Sequence, residues 1–231
     1  MKIVKVNNPK EGFEICKTLI YQHLTQSSVL FLSGGSTPKT LYQLLAKEKK
    51  LKAGAVAMVD ERYGEKFYID SNELMIKNTQ LLSALDELNI KFYPILQNKG
   101  LEDTAKDYDE TVRYLFNHFQ KSMAILGVGT DGHTAGIPAI EKISDAILND
   151  KTSLVSFYNA NKTVYKKRIT LSFAALRQFD KIIVLAFGKE KQIALKRMFE
   201  EGFVTKVPAR FLMKELSKVT VLITDQSVYF R

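Results

Sequence analysis

The chain has 231 residues, 45% apolar and 26% charged, with 34 Lys and Arg against 25 Asp and Glu for a net charge of +9. No run approaches the roughly 20 apolar residues of a bilayer-spanning helix, MKIVKVNNPKEGF opens as a short strand rather than a signal peptide, and a lone Cys16 excludes an internal disulfide or a cysteine metal cluster. These features predict a cytoplasmic protein with one α/β domain over residues 1–231, no membrane partner and no nucleic-acid partner, its dispersed lysines instead suiting an anionic metabolite.

Along the chain, apolar runs alternate with amphipathic stretches, the pattern of a mostly parallel sheet with helices on both faces. Strands are predicted at 2–6, 28–33 (SVLFLS), 55–60 (AVAMVD), 91–95, 122–127, 153–158, 181–187 and 219–224. Helices are predicted at 10–24, 38–47, 71–84, 102–119, 172–178, 189–200 and 209–216, the third started by Asp70 and Glu73 at capping-box spacing. His23 and His118 fall on amphipathic helices, where packing or surface roles are expected. Ligands of such sheets bind beyond the carboxyl ends of the strands, so the strand-to-helix junctions carry the functional information.

At 32–45, LSGGSTPKTLYQLL, Gly34 and Gly35 permit a tight turn with close backbone approach, and Ser36 and Thr37 add hydroxyl donors. Thr37 reads as N-cap with Pro38 in the first helical position, so that free amides face an anion; the Gly-Lys-Ser/Thr ending of a Walker loop is absent. Asp60, Glu61 and Arg62 leave a buried strand together, which predicts that at least one faces the crevice.

At 127–136, GVGTDGHTAG satisfies G-x-G-x-x-G, but no helix pattern follows and no acidic strand end lies about 20 residues on, so a dinucleotide site is not expected. What stands out is His133 two residues after Asp131: an imidazole titrates near cell pH, and a neighbouring carboxylate orients it as a general base. Further on, Arg168 opens RITLSFAAL, and Lys189 and Lys191 both sit where a helix begins after Gly188. A cation there opposes the helix dipole, a conflict that a bound anion removes. The residues alone do not choose between the two lysines.

SGGSTP, DER with DSN at 70–72, LGVGTDGHTA, RITLS and GKEK, in this order and over residues 33–191, resemble the family shared by 6-phosphogluconolactonases and glucosamine-6-phosphate deaminases, and its lactonase branch more closely. The resemblance implies a modified Rossmann-type sheet, a phosphorylated sugar lactone as substrate, and neither metal nor organic cofactor. It makes His133 the base and Asp131 its partner, and gives the phosphate to Arg168, Lys191 and the turn Gly34, Gly35, Ser36 and Thr37. Asp60 and Arg62 would contact the sugar end or close the site, and Gly129 and Gly132 would offer backbone amides to the oxyanion or shape the loop backbone. Deaminases carry a catalytic glutamate five positions after the histidine, where this chain has Pro138, and Asp-Glu-Tyr where it has Asp60-Glu61-Arg62. Departures from the lactonase pattern are GIPAI after the motif and NANKTVYKK before RITL. A deaminase or isomerase with Asp60 as base and a non-catalytic sugar-phosphate sensor remain as alternatives. No sequence feature decides between monomer and dimer.

Overall fold

Every residue of Ser28–Leu32 is buried, as are those of Thr220–Thr224, and such strands need cover on both faces. The computed structural model describes residues 1–161 and 165–227. In chain order the elements are β1 (Lys2–Lys5), α1 (Pro9–His23), β2 (Ser28–Leu32), α2 (Ser36–Glu48), β3 (Ala55–Met58), β4 (Asp60–Arg62), α3 (Asn72–Asn78), α4 (Leu81–Glu87), β5 (Lys91–Tyr93), α5 (Leu101–His118), β6 (Lys121–Gly127), α6 (Glu141–Asn149), β7 (Val155–Asn159), β8 (Lys167–Leu171), α7 (Phe173–Leu176), β9 (Lys181–Ala186), α8 (Gln192–Phe199), α9 (Arg210–Lys214) and β10 (Thr220–Thr224). A 3₁₀ turn, Lys189–Lys191, leads into α8.

Seven strands form one sheet in the order β1-β10-β9-β6-β2-β3-β5, every neighbouring pair parallel. From β2 the chain builds outward through β3 to β5, then crosses back to β6 on the other flank of β2 and continues outward to β9 and β10. The direction of winding therefore reverses between β2 and β6, which opens a crevice beyond their carboxyl ends. Aromatic contacts anchor the core beneath, with the Phe31 and Phe179 rings edge to face at 5.1 Å. Among the described residues no helix is long and apolar enough to cross a membrane.

A second, antiparallel sheet, β4-β8-β7, stands beside the first, and the Leu171 N–H bonds the Val59 carbonyl at 2.9 Å where the two meet. The sequence reading placed residues 55–60 in one strand, whereas the chain leaves the main sheet after Met58 and starts a new ladder at Asp60. Strand β8 and helix α6 were not expected.

Three local expectations are corrected. The helix expected over 71–84 is two helices, because Gln80 takes a left-handed φ of 65° and the Thr79 hydroxyl bonds back to the Ile76 carbonyl at 2.6 Å. Ser71, not Asp70, caps α3, its hydroxyl accepting from Leu74 N at 3.0 Å. Helix α2 starts at Ser36 with Gly35 as cap rather than at Pro38 after Thr37, since Gly35 holds φ 106° and turns the chain two residues earlier.

Candidate active site

The crevice between β2 and β6 deepens into a cleft of ≈ 510 Å³, walled by the turn after β2, the loop after β6 and the small sheet. Among the described residues five buried side-chain atoms lack a hydrogen-bond partner, and four of them, Ser33 Oγ, Arg62 Nε, Asn72 Oδ1 and Arg168 Nε, belong to residues of this cleft. Unmet polar capacity is rare in a folded protein and concentrates at functional sites.

Gly34, Gly35, Ser36 and Thr37 form the floor where α2 begins. A Cβ on Gly34 would lie 1.8 Å from Asn72 Oδ1, so only glycine lets this turn close over the asparagine. Gly35 has open space around it and is needed for its φ alone. The first turn of α2, 13 residues long, contains no acidic side chain, so its amides and hydroxyls present an anion with donors only. Lys191, at the end of the 3₁₀ turn after β9, lines the same cleft, and Lys189 is not among the lining residues.

Strand alternation sorts the Asp60-Glu61-Arg62 triplet. Asp60 and Arg62 line the cleft; Glu61 is fully buried behind it. Across the ladder Arg62 stands opposite Arg168, and Arg168 opposite Tyr158. Arg168 Nη1 donates to Asp60 Oδ2 at 3.0 Å, in a pair whose side chains are only 14% and 6% exposed. Arg62 stacks on the Tyr165 ring at 4.3 Å and donates through Nη1 to the Asp70 carbonyl at 2.7 Å. The Tyr158 hydroxyl donates to the Gly136 carbonyl at 2.8 Å, and burial pushes that phenol up to about 12.

On the opposite wall the loop after β6 folds on itself. Gly129 N–H donates to the His133 carbonyl at 2.8 Å and Gly132 N–H to the Gly129 carbonyl at 2.9 Å. Asp131 Oδ1 accepts from His133 N–H at 3.0 Å and from His133 Nδ1 at 2.7 Å. Donation from Nδ1 puts the ring proton there and leaves Nε2 with its lone pair. Burial works to raise the Asp131 carboxyl, but the hydrogen bonds and charge of His133 prevail and hold it at about 2.

The geometry thus joins an oriented imidazole, a donor-rich floor and an arginine wall in one cleft. A family model described as glucosamine-6-phosphate isomerases/6-phosphogluconolactonase matches residues 14–221.

The chain belongs to this family.

A 6-phosphogluconolactonase of Helicobacter pylori is 32% identical over 190 residues, 81% of this chain and 79% of that protein. A glucosamine-6-phosphate deaminase of Streptococcus equi subsp. zooepidemicus is 29% identical over 231 residues, 96% of each chain. The crystal structure of a 6-phosphogluconolactonase from Shewanella baltica superposes with a TM-score of 0.81 at 22% identity, covering 97% of both chains, a likeness of fold. The protein stands among enzymes of carbohydrate metabolism, and the modified Rossmann-type fold expected from the resemblance is the one observed.

Gly129 and Gly132 were expected either to donate to an oxyanion or to shape the loop backbone. Both N–H groups are occupied within the loop, and Gly132 does not line the cleft, which fits the second role. Gly132 serves packing: its φ is 93°, and a Cβ there would meet Val207 at 2.7 Å. Asn72, Tyr158 and Tyr165 line the cleft without having been singled out. Asn72 was signalled by its place in DSN; Tyr158 closes the strand expected over 153–158, and Tyr165 lies beyond it in a stretch with no pattern to read.

Proposed function

We propose that this enzyme is a 6-phosphogluconolactonase that hydrolyses 6-phospho-D-glucono-1,5-lactone to 6-phosphogluconate in the pentose phosphate pathway, in the cytoplasm and as a single domain spanning residues 1–231. The observation that carries the reading is the His133–Asp131 pair at 2.7 Å in a cleft where Pro138, which has no acid to give, occupies the place of the deaminase glutamate.

The substrate phosphate sits on the Gly34–Thr37 turn with Lys191 and Arg168. Asp60 and Arg62 face the sugar end, which brings the lactone carbonyl beside His133. Nε2 takes a proton from water as its oxygen attacks C1, and Asp131 stabilises the imidazolium through Nδ1. The tetrahedral intermediate collapses with cleavage of the C1–ring oxygen bond, and the imidazolium returns the proton to that oxygen. The net charge of +9 favours capture of a dianionic substrate.

The test generates lactone in place with glucose-6-phosphate dehydrogenase and follows 6-phosphogluconate through its own dehydrogenase. Acceleration over spontaneous opening is expected, lost in His133→Ala while 6-phosphogluconate still binds. A rate equal to background from folded protein defeats the proposal.

Similarity to deaminases favours a second reading, in which Asp60 removes a proton from an amino-sugar phosphate. Arg168 occupies Asp60 Oδ2, so that step requires breaking a buried ion pair. Ammonia release from glucosamine 6-phosphate would support this reading.

A further inference from the structure

Glu61 does not line the cleft, yet it holds together a wall that does. Its Oε1 accepts the N–H groups of Arg62 at 2.7 Å and Asn72 at 2.6 Å, and its Oε2 accepts that of Glu73 at 2.8 Å. Two more bonds cross the same seam between β4 and α3. Asn72 Nδ2 donates to the Asp60 carbonyl at 2.9 Å, and Arg62 Nη1 to the Asp70 carbonyl at 2.7 Å. A carbonyl only accepts, so the Asn72 amide is oriented with Nδ2 toward Asp60.

Burial pushes the Glu61 carboxyl up to about 8, against three N–H bonds that favour the carboxylate. Those backbone groups are fixed by the strand and the helix start and have no water to turn to, because Glu61 is 0% exposed. Removing the acceptor leaves those buried donors unmet.

We propose that Glu61 is a positioning residue for the sugar-facing half of the site: through backbone N–H groups it holds Asp60, Arg62 and Asn72 as one unit against the ligand, without touching that ligand. The proposal rests on the sugar-phosphate reading above and adds the residue that sets the geometry of its specificity wall.

Glu61→Ala removes the acceptor and leaves carboxylate-sized space facing three N–H groups. Glu61→Gln keeps the volume but turns an amide NH₂ toward backbone donors. The Kd for 6-phosphogluconate, measured by calorimetry on the full chain, is expected to weaken about tenfold or more in both variants. Turnover at saturation falls by a much smaller factor, because His133 and Asp131 hang from the loop after β6. Formate fills the space in Glu61→Ala and restores affinity, and it leaves Glu61→Gln and the wild type unchanged. An unchanged Kd in folded Glu61→Ala overturns the proposal, as does a loss shared equally by kcat and Kd that formate fails to reverse. Should Glu61→Ala not fold, Glu61→Gln decides through the split between Kd and kcat. A wild type that neither binds 6-phosphogluconate nor opens the lactone defeats the lactonase reading alone. The series is then run with glucosamine 6-phosphate, and the Glu61 proposal stands or falls on formate-reversible loss of that ligand.

Discussion

Asp60 and Arg168, 108 residues apart in the chain, meet at 3.0 Å, diagonally across the β4–β8 ladder. Both are mostly buried, so neither charge is tolerated without the other. Asp60→Asn is expected to destabilise the fold by about 3 kcal/mol by stranding the guanidinium. Asp60→Asn combined with Arg168→Gln should cost clearly less than the sum of the single changes. Urea unfolding of the four proteins measures the cycle; strict additivity would mean the pair is not coupled.

Asp131 orients His133 and supports its charged form. Asp131→Asn keeps a side chain of the same shape but loses the negative charge beside Nδ1. Lactone turnover should drop by about 10²-fold or more, with 6-phosphogluconate affinity little changed. Single-turnover kinetics alongside a binding titration would separate the two effects.

Two glycines test the floor and the base separately. Gly35→Ala meets no atom within 4 Å, so its whole effect comes from forcing alanine to φ 106°. Strain of about 1–3 kcal/mol should reset the turn and weaken inorganic phosphate binding. Gly129→Ala instead places a methyl 2.1 Å from the His133 ring. It should cut turnover nearly as severely as His133→Ala while phosphate binding persists.

Glu73 supplies a pH dependence. Burial raises its carboxyl from 4.5 to about 7, while Lys66 and Lys77 pull the other way. Between those two pH values the native state holds a proton that the unfolded chain has lost. This contribution to stability is therefore full below 4.5 and disappears as the pH rises through 7. Glu73→Gln, which cannot ionise, should flatten the decline by on the order of 2 kcal/mol between about pH 5 and about pH 8, read from denaturant midpoints.

The main sheet was legible because SVLFLS, KIIVLAF and VTVLIT are continuously apolar, and burial on both faces is what such runs require. The small sheet was obscured: KRITL opens with two charged residues before its apolar half, and β4 is three residues long. On the site, junction chemistry located the Gly34–Thr37 turn and the His133 loop. Asp70 was chosen over Ser71 as a cap because the two are adjacent and chemically equivalent at that task. The fate of the Gly129 and Gly132 amides depends on how the loop closes on itself, which no residue identity reveals. Tyr158 reaches the cleft through the register of β7 against β8, which no local pattern reveals.

The cleft draws its walls from six strands, after β2, at β4, after β6, on β7 and β8 and after β9, spread over residues 33–191. No contiguous fragment of this chain contains a smaller version of the site. Ligand affinity therefore appears only when the last long-range strand pairings have formed, and intermediates that keep most of their helices gain nothing from substrate. A sugar phosphate added during refolding would stabilise the finished molecule without guiding the path toward it.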